Sequence, residues 1–360
     1  MAVPQDLDGL AKIKVMGVGG GGCNAIARMA REQIEGVELI AVNTDAQALM
    51  QSEVPLRIRI GDEITRGLGV GGDPEIGRGA AEESREEIKE AIQGSDMVFI
   101  AAGMGGGTGT GAAPVIAECA REAGALTVAV VTEPFLFEGR KRSKNAESGL
   151  DLLKQHVDTL LVVPNDRLME VAGDDVPWQD AFKMVDDVLH QGILSIVELV
   201  TVAGDINLDF ADVKSVMSNS GQALMAIGRA TGEDRAIEAA RAAIANPLLD
   251  LDIRGAKGVL FNVTGGTDLK LAEVNASAEM IREAIDPDAN IIIGFVTDVK
   301  MEGEVKITII ATGFDKQDEN VPEEKVDEML AAALSEDLDI PPFMRRKAGQ
   351  KNGTGRLSGF

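Results

Sequence analysis

Two glycine-rich runs have the residue types and spacing that suit phosphate binding. Gly17–Gly22 follows an apolar strand-like run and precedes a helical pattern. Gly105–Gly111, which reads GGGTGTG, lies in the same strand-to-helix context. Glycines let backbone N–H groups approach an anion closely, and the helix N-terminus adds partial positive charge. Threonine hydroxyls can donate to phosphate oxygens. Two such cradles suit a triphosphate better than a single pyrophosphate.

The first run alone leaves another interpretation open. Gly17, Gly19 and Gly22 also match the G-x-G-x-x-G spacing of dinucleotide-binding folds, so an NAD-dependent oxidoreductase is one alternative. That alternative leaves GGGTGTG unexplained, and the sequence presents no catalytic Tyr/Lys or His pair. A P-loop NTPase is excluded because the sequence contains no G-x-x-x-x-G-K-[ST] motif.

Phe182 and Asp186 are candidates for reading a purine base. They are four residues apart near the start of a predicted long helix, so they share one helix face. An aromatic ring can stack on a purine, and a carboxylate can accept both the N1–H and the N2–H of guanine, a donor pair that adenine lacks. In isolation, a core phenylalanine and a solvated aspartate would explain the two residues equally well.

Asn207, Asp209 and Asp212 form a second polar cluster, just beyond the same helix. Two carboxylates and an amide can orient a water molecule and help to hold a cation, although a plain acidic turn explains these residues better on sequence alone. Roughly 16–20 helical residues at 1.5 Å each separate Asp186 from Asp209 by about 25–30 Å. The carboxylates would then reach only the nucleotide of a neighbour stacked head to tail, in a contact that generates filaments.

Alternating strands and helical patterns in the first half predict the elements that position these residues. Continuous apolar strands separated by helices are typical of a buried parallel sheet, in which ligands bind beyond the carboxyl ends of the strands. The glycine runs, Asn43–Asp45, Thr132–Pro134 and Asn165 follow those ends, which predicts one site at one edge. The predicted strands are Ile13–Gly17, Val37–Val42, Met97–Ala102, Leu126–Val131 and Thr159–Val163, and the predicted helices are Asn24–Ile34, Glu75–Gln93 and Ala112–Ala123.

The second half predicts a long helix, Pro177–Val202, a break at Asp205–Asp212 and a smaller α/β domain. The fold class is thus a Rossmann-like parallel-sheet domain joined by a central helix to that smaller domain. Predicted boundaries are 1–176, 177–203 and 204–314, with a partly helical linker at 315–338 and a tail at 339–360. In the smaller domain the predicted helices are Gln222–Arg229, Arg235–Asn246 and Leu271–Ile285, and the strands are Lys257–Val263, Ile291–Val296 and Val305–Ala311.

Composition narrows the class of partner. The formal net charge of -24 and the pI of about 4.5 argue against nucleic acid. The first ten residues do not resemble a signal peptide, and no apolar run reaches the roughly 20 residues of a membrane span. Cys23 and Cys119 lack metal-type spacing. We expect a cytoplasmic protein with no direct membrane insertion.

GGGTGTG resembles the signature of the tubulin/FtsZ superfamily of GTPases. The segments IKVMGVGGGGCNAI, GLGVGGDPEIG, VAVVTEPFLFEG, PND and NLDFADV resemble FtsZ segments in the same order, over about residues 11–314. The resemblance implies GTP/GDP binding, with Mg²⁺ held through the phosphates rather than by side chains. It also implies head-to-tail filaments, hydrolysis completed in trans by the next subunit, and a cytokinetic ring at the bacterial division site. A non-catalytic GTP-gated scaffold or a plasmid-segregation relative is the remaining alternative.

The resemblance also assigns the site residues. Asn207, Asp209 and Asp212 are the expected catalytic residues. Glu138 and Arg142 are expected near the ribose and phosphates, although they would otherwise be a surface i,i+4 pair. The expected GTP-binding residues are Gly20, Gly21, Gly22, Asn24, Thr44, Asp45, Gly71, Gly106, Gly107, Thr108, Gly109, Thr132, Pro134, Glu138, Arg142, Asn165, Phe182 and Asp186.

The C-terminal segment Asp339–Arg346 resembles the peptide by which FtsZ proteins dock onto membrane-tethering division proteins. Apolar anchors followed by arginines suit a groove with an acidic rim, whereas a merely disordered end is the alternative. The connecting stretch 315–338 is short for the family. The expected partner-binding residues are Ile340, Pro341, Phe343, Met344 and Arg345.

Overall fold

The computed structural model describes residues 11–32, 34, 36–172, 177–201, 209–246 and 253–314. The tail residues 315–360, Asn207 and the linker prediction lie outside this range. The strands of the described residues are β1 Ile13–Val18, β2 Val37–Asn43, β3 Leu56–Arg59, β4 Met97–Gly103, β5 Leu126–Glu133, β6 Thr159–Pro164, β7 Gly221–Thr231, β8 Gly258–Gly265, β9 Asn290–Thr297 and β10 Glu304–Thr312. They form one ten-stranded sheet in the order β3-β2-β1-β4-β5-β6-β7-β10-β8-β9.

The helices complete a mixed α/β fold. In chain order they are α1 Gly19–Glu32, α2 Ala46–Gln51, α3 Asp62–Thr65, α4 Pro74–Glu83, α5 Arg85–Ile92, α6 Thr108–Glu122, α7 Arg140–Leu153, α8 Asn165–Ala172, α9 Trp178–Thr201, α10 Phe210–Met217, α11 Arg235–Ile244 and α12 Leu271–Ala284.

The strands β1 to β6 are all parallel, as predicted from their continuous apolar character. The five predicted strands of this half are confirmed to within two residues. The helices α1 and α9 cover one face of the sheet, and α4 to α7 cover the other. The sequence prediction missed β3, because Leu56–Arg59 is a short edge strand with two arginines and lacks an apolar run.

Several helix predictions are confirmed, with informative differences. The long helix is α9, which spans 24 residues. The predicted helix Glu75–Gln93 is divided at Ser84, which ends α4 and begins α5. The helices α1 and α6 begin earlier than predicted, at Gly19 and Thr108, so the glycine runs themselves supply the first turns. The sequence prediction places those glycines before the helices, because glycine has a low helix propensity.

The predicted helix Gln222–Arg229 is wrong, because this segment belongs to β7. Its alanines, leucine and methionine favour a helix, but β7 pairs with β10 along nine residues and with the start of β6. These pairings override local propensity. The pairing of β6 with β7 also makes the sheet continuous, so the smaller α/β portion shares its sheet with the nucleotide half. The exact domain boundaries stay predictions.

Candidate nucleotide-binding site

The carboxyl ends of five parallel strands meet at one edge of the sheet, as predicted. Val18 of β1 lies opposite Val42 of β2 and Ala102 of β4. Ala102 in turn lies opposite Val131 of β5. The loops that follow these strands, with Asn165 after β6, therefore border one another, and this edge is the candidate site.

The first glycine loop divides into packing and ligand-facing positions. Gly19 has a φ of 71°, in the left-handed region that favours glycine. A Cβ at Gly22 would overlap the carbonyl oxygen of Ala101, so Gly22 is required by the packing of α1 on β4. Gly20 has no atom within 4 Å of a Cβ position, and Gly21 is also exposed, with Gly103 3.7 Å from its Cβ position. Backbone amides at these two positions are available to an anion.

The second glycine loop divides in the same way. Gly107 and Gly109 are buried, and a Cβ at Gly109 would lie 2.6 Å from the carbonyl oxygen of Gly103. Gly106 has open space around it and Gly71, from a neighbouring loop, also faces open space with a φ of 58°. Gly106 lies just before the N-terminus of the 15-residue helix α6, whose dipole favours negative charge there.

Hydroxyl groups connect the loops of this edge. The Oγ1 atoms of Thr44 and Thr108 lie 2.8 Å apart and share a hydrogen bond. The backbone N–H of Gly105 donates to Thr110 Oγ1 at 2.8 Å. Asn43 Oδ1 accepts from the N–H of Thr44 at 2.9 Å. The site prediction missed Asn43 and Thr110, although both lie inside motifs that it used.

Asp45 has a structural role in this arrangement. Its carboxylate caps α2 by accepting from the N–H groups of Gln47 and Ala48, at 2.8 and 3.2 Å. The cap fixes the loop after β2 and leaves Asp45 partly exposed at the edge. Asn24, on α1, is exposed close to the first glycine loop.

The loop after β5 brings Glu138 and Arg142 together. Thr132 is buried and its carbonyl oxygen accepts from the N–H of Met104 at 2.8 Å, which joins this loop to the second glycine loop. Glu138 accepts from the N–H of Phe135 at 3.0 Å and forms an ion pair with Arg142. The i,i+4 pair is therefore present. A role for either residue at a ribose stays a prediction.

The part of the site that follows β5 and β6, where we expect the base, contains a buried hydrogen-bond acceptor without a partner among the described residues. Asn165 is 5 % exposed, and its Oδ1 accepts no hydrogen bond from any described residue. A buried acceptor left unpaired is costly, so a donor from a ligand fits this position. Pro134 and Asn165 follow neighbouring strands, β5 and β6, so both belong to this end of the edge.

Phe182 lies at the same end, on α9. Its ring centroid is 5.5 Å from that of Phe135 and 6.5 Å from that of Phe137, both in edge-to-face geometry. The Phe182 side chain remains 38 % exposed, so part of the ring is accessible to a purine. These contacts hold the ring through the loop after β5.

Asp186 lies one turn after Phe182 and is partly buried. The pKa of its carboxyl is raised to about 6, mainly by burial and also by the neighbouring charge of Asp187, while Arg28 opposes the rise. At pH 7 the group is mostly ionised and can therefore accept the two hydrogen bonds that guanine offers. The sequence prediction missed Arg28 and Asp187, because nothing in local spacing relates α1 to α9.

Asp209 and Asp212 lie at the start of α10, and the other end of this helix lies at the amino ends of the strands, opposite the site loops. Asp209 caps α10 by accepting from the N–H of Asp212 at 2.9 Å, and both side chains are exposed. Directly after α10, the N–H of Asn219 donates at 3.2 Å to Asp158, which precedes β6. The site loops follow the other end of β6, about 20 Å away for a six-residue strand.

The donors and acceptors of this site suit a guanine nucleotide. Open amides and a helix N-terminus suit phosphates, and an orphan amide oxygen with an ionised carboxylate suits guanine. Among the described residues, no group of three or more His, Cys, Asp or Glu side chains has metal-binding geometry. No helix in that part of the chain is long and apolar enough to cross a membrane.

Comparison with known proteins gives the family. Residues 12–173 match the profile of the Tubulin/FtsZ family GTPase domain, and residues 221–315 match that of the FtsZ family C-terminal domain. An FtsZ dimer from M. jannaschii is 49 % identical, with a TM-score of 0.84, and the match covers 88 % of this chain and 94 % of that one. A point mutant of FtsZ from the same organism is 50 % identical, with a TM-score of 0.83 and coverage of 86 % and 93 %.

A more distant structure shares the fold alone. CetZ2 from Haloferax volcanii, solved as a GTPγS-bound protofilament, is 22 % identical with a TM-score of 0.72, and the match covers 90 % of this chain and 99 % of that one. The FtsZ matches span both halves of the described chain at about twice that identity. This chain belongs to the FtsZ family of tubulin-like GTPases.

Proposed function

We propose that this chain is a GTP-dependent polymerising GTPase whose subunits assemble head to tail into filaments of a cytokinetic ring. The observation that carries the proposal is that the nucleotide loops follow the carboxyl ends of the strands, whereas α10, the helix that Asp209 caps, ends at their amino ends. The two clusters would then lie too far apart to meet within one subunit. Stacking one subunit on the next brings them together, and repetition of that contact gives a filament.

The nucleotide would be held by the groups that face open space. Amides of Gly20, Gly21 and Gly106 bind phosphate oxygens, and the N-terminus of α6 stabilises their charge. Phe182 stacks on the base while Asp186 and Asn165 pair with its polar edge. A Mg²⁺ ion would be held mainly through phosphate oxygens and water, which is common for this ion.

Hydrolysis would use the carboxylates of the neighbouring subunit. Asp209 and Asp212 are exposed, acceptor-only groups that orient a water molecule towards the terminal phosphate. Asn207, outside the described residues, is the proposed third member. Polymerisation and hydrolysis would then be one event, since a lone subunit lacks half of its active site.

Related proteins support self-association. The M. jannaschii FtsZ is a dimer and the H. volcanii CetZ2 a protofilament in their structures. We carry head-to-tail assembly over to this chain as a proposal. Recruitment to the inner face of the membrane would use tethering proteins that bind the tail, and the bacterial setting rests on the sequence resemblance alone.

A first experiment measures the GTPase rate per subunit against protein concentration while light scattering is recorded. The rate should be near zero below a threshold concentration and rise together with scattering above it. A rate per subunit that is independent of concentration would mean that each subunit has a complete active site. NAD binding without guanine nucleotide binding would favour the oxidoreductase instead.

A second experiment tests completion of the site in trans. Asp212→Ala protein should bind GTP and assemble, yet hydrolyse it on the order of 10²-fold more slowly. It is mixed with Gly106→Leu protein, whose added side chain fills open space beside the phosphates where no protein atom lies within 4 Å of the Cβ position. Hydrolysis should partly reappear, because nucleotides bound by the first variant face intact carboxylates of the second.

Co-sedimentation must first confirm that the Gly106→Leu protein enters mixed filaments. If it does and the rate stays at the sum of the two separate rates, the carboxylates do not act across the interface. Catalysis in trans would then be abandoned.

A further inference from the structure

Charged side chains lie between α1 and α9, next to the proposed base-reading carboxylate. Nη1 of Arg28 on α1 contacts Oδ1 of Asp187 on α9, and both side chains are more than half shielded from solvent. Asp187 directly follows Asp186 in the chain. The ion pair therefore joins the helix that begins in the first glycine loop to the helix that carries Asp186.

Arg28 is the nearby positive charge for two adjacent carboxylates. The other charged groups of this cleft are Glu32 on α1, His190 on α9, Arg229 on β7 and Lys306 on β10, around a cavity of about 200 Å³. Each of these four groups has a partner of its own. Nε2 of His190 lies 3.0 Å from Glu32, while Arg229 and Lys306 pair with Glu304 and Glu198 at 3.6 and 3.5 Å.

Without Arg28, two partly buried like charges would lie side by side. Burial raises the pKa of both carboxyls and the charge of Asp187 adds to the rise at Asp186, whereas Arg28 opposes the rise at each. His190 also lowers the pKa of Asp187, but burial lowers the pKa of His190 itself, so its positive charge is reduced at neutral pH. Among the described residues of this cleft, Arg28 is the permanently charged cation that contacts Asp187.

We propose that Arg28 is a positioning residue for purine selection, which keeps the Asp186–Asp187 pair ionised so that Asp186 accepts both N–H donors of guanine. This inference rests on the proposed reading of guanine by Asp186. A protonated carboxyl group offers one donor and one acceptor, which matches the N1 acceptor and N6–H donor of adenine. Loss of the ionised form would therefore weaken guanine binding and relax discrimination against adenine.

The test measures the dissociation constants of GDP and ADP from pH 5 to pH 8.5, since diphosphates avoid turnover during the measurement. The proteins are wild type, Arg28→Ala, Arg28→Lys and the double variant Arg28→Ala/Asp187→Asn. In wild type, GDP affinity should be constant above about pH 7 and fall as the pH drops through about 6, where Asp186 becomes protonated.

In Arg28→Ala the midpoint of this fall should move up by about one pH unit, as expected for losing a nearby opposite charge. The GDP/ADP affinity ratio should then drop roughly tenfold at pH 6 and recover by pH 8.5. Arg28→Lys should stay close to wild type. Asp187→Asn in the double variant should return the midpoint towards wild type, because it removes the like charge.

Arg31→Ala is the matched control, since Arg31 lies on the same helix in an exposed ion pair with Glu53. It should leave the profile unchanged. If Arg28→Ala weakens GDP and ADP equally at every pH, Arg28 only packs the helices and the inference is overturned. If wild-type GDP affinity does not fall below pH 6, the role of Asp186 fails as well, which separates the two failures.

Discussion

At the scale of single residues, Asp186 supplies the contact on which selection of guanine over adenine should depend. Asp186→Ala removes the acceptor for two guanine donors and should weaken GTP binding on the order of 10²-fold, while ATP binding changes little. The GTP/ATP ratio should narrow accordingly in a competition assay. Asp180→Ala is the control, because Asp180 lies on the same helix in an exposed pair with Lys183. An unchanged ratio would mean that another group, with Asn165 the first candidate, reads the base.

Cys23 directly follows the first glycine loop, but burial makes its thiol unreactive. Its Sγ donates to the carbonyl oxygen of Gly17 at 3.3 Å, and burial raises the pKa of the thiol to about 12. The thiol is therefore protonated at neutral pH and lacks nucleophilic character.

At the scale of elements, the close approach of α1 to β4 depends on one glycine. Gly22→Ala places a methyl group against the carbonyl oxygen of Ala101 and should lower the free energy of unfolding by about 1–3 kcal/mol, as for other overpacked positions. Gly20→Ala, two residues earlier in the same helix, meets no atom within 4 Å and should unfold at or slightly above the wild-type denaturant concentration.

Denaturant unfolding of both variants without nucleotide provides the comparison. Equal destabilisation would show that contact with β4 is not the reason why position 22 requires glycine.

Asp209 caps the N-terminus of α10 and has a proposed role in hydrolysis, and two substitutions can separate these roles. Asp209→Ala loses the hydrogen bond from the N–H of Asp212 and should cost about 0.5–2 kcal/mol of unfolding free energy, as for other N-cap substitutions. Asp209→Asn keeps the cap but removes the charge, so stability should stay near wild type while GTP hydrolysis still falls. Denaturant unfolding and a GTPase assay above the assembly threshold measure the two effects. A wild-type rate in Asp209→Asn would mean that its negative charge is not needed.

At the scale of the whole molecule, the tail is predicted to connect filaments to the membrane without taking part in catalysis. Deletion of residues 339–360 should leave GTPase activity and light scattering within about twofold of the full chain, because the proposed active site uses no tail residue. Association with vesicles coated by the tethering protein should be lost. Phe343→Ala is the finer variant, since it removes one apolar anchor and keeps the arginines. A truncated chain that still co-sediments with those vesicles would contradict this assignment.

Much of the site followed from local sequence patterns. Each strand of the parallel half is a continuous apolar run, and each site loop comes directly after one, so the rule for parallel sheets placed the loops at one edge. GGGTGTG stands out within a single loop, and Phe182 and Asp186 are candidates because they lie one helix turn apart. Such relations depend on a few neighbouring residues and are visible without tertiary structure. The role of Phe182 and Asp186 at the base, with Asn165, is what the family resemblance implies and stays a prediction.

Other features depend on what packs against a segment. The residues of β7 favour a helix by propensity, and only the partners β6 and β10 make them a strand. Gly22 packs against β4 whereas Gly20 faces open space, and this difference is visible only once β4 lies beside α1.

The sequence by itself thus determined the parallel sheet, the long central helix and the chemistry expected at the strand ends, because those follow from apolar periodicity and local backbone freedom. Tertiary structure decided the continuity of the sheet, the orphan acceptor on Asn165 and the pairing of Arg28 with Asp187. Arg28 and Asp187 are far apart in the chain, and a single sequence carries no signal for a contact between two helices. Packing of α1 and α9 on the same face of the sheet creates that contact, and with it the electrostatic surroundings of Asp186.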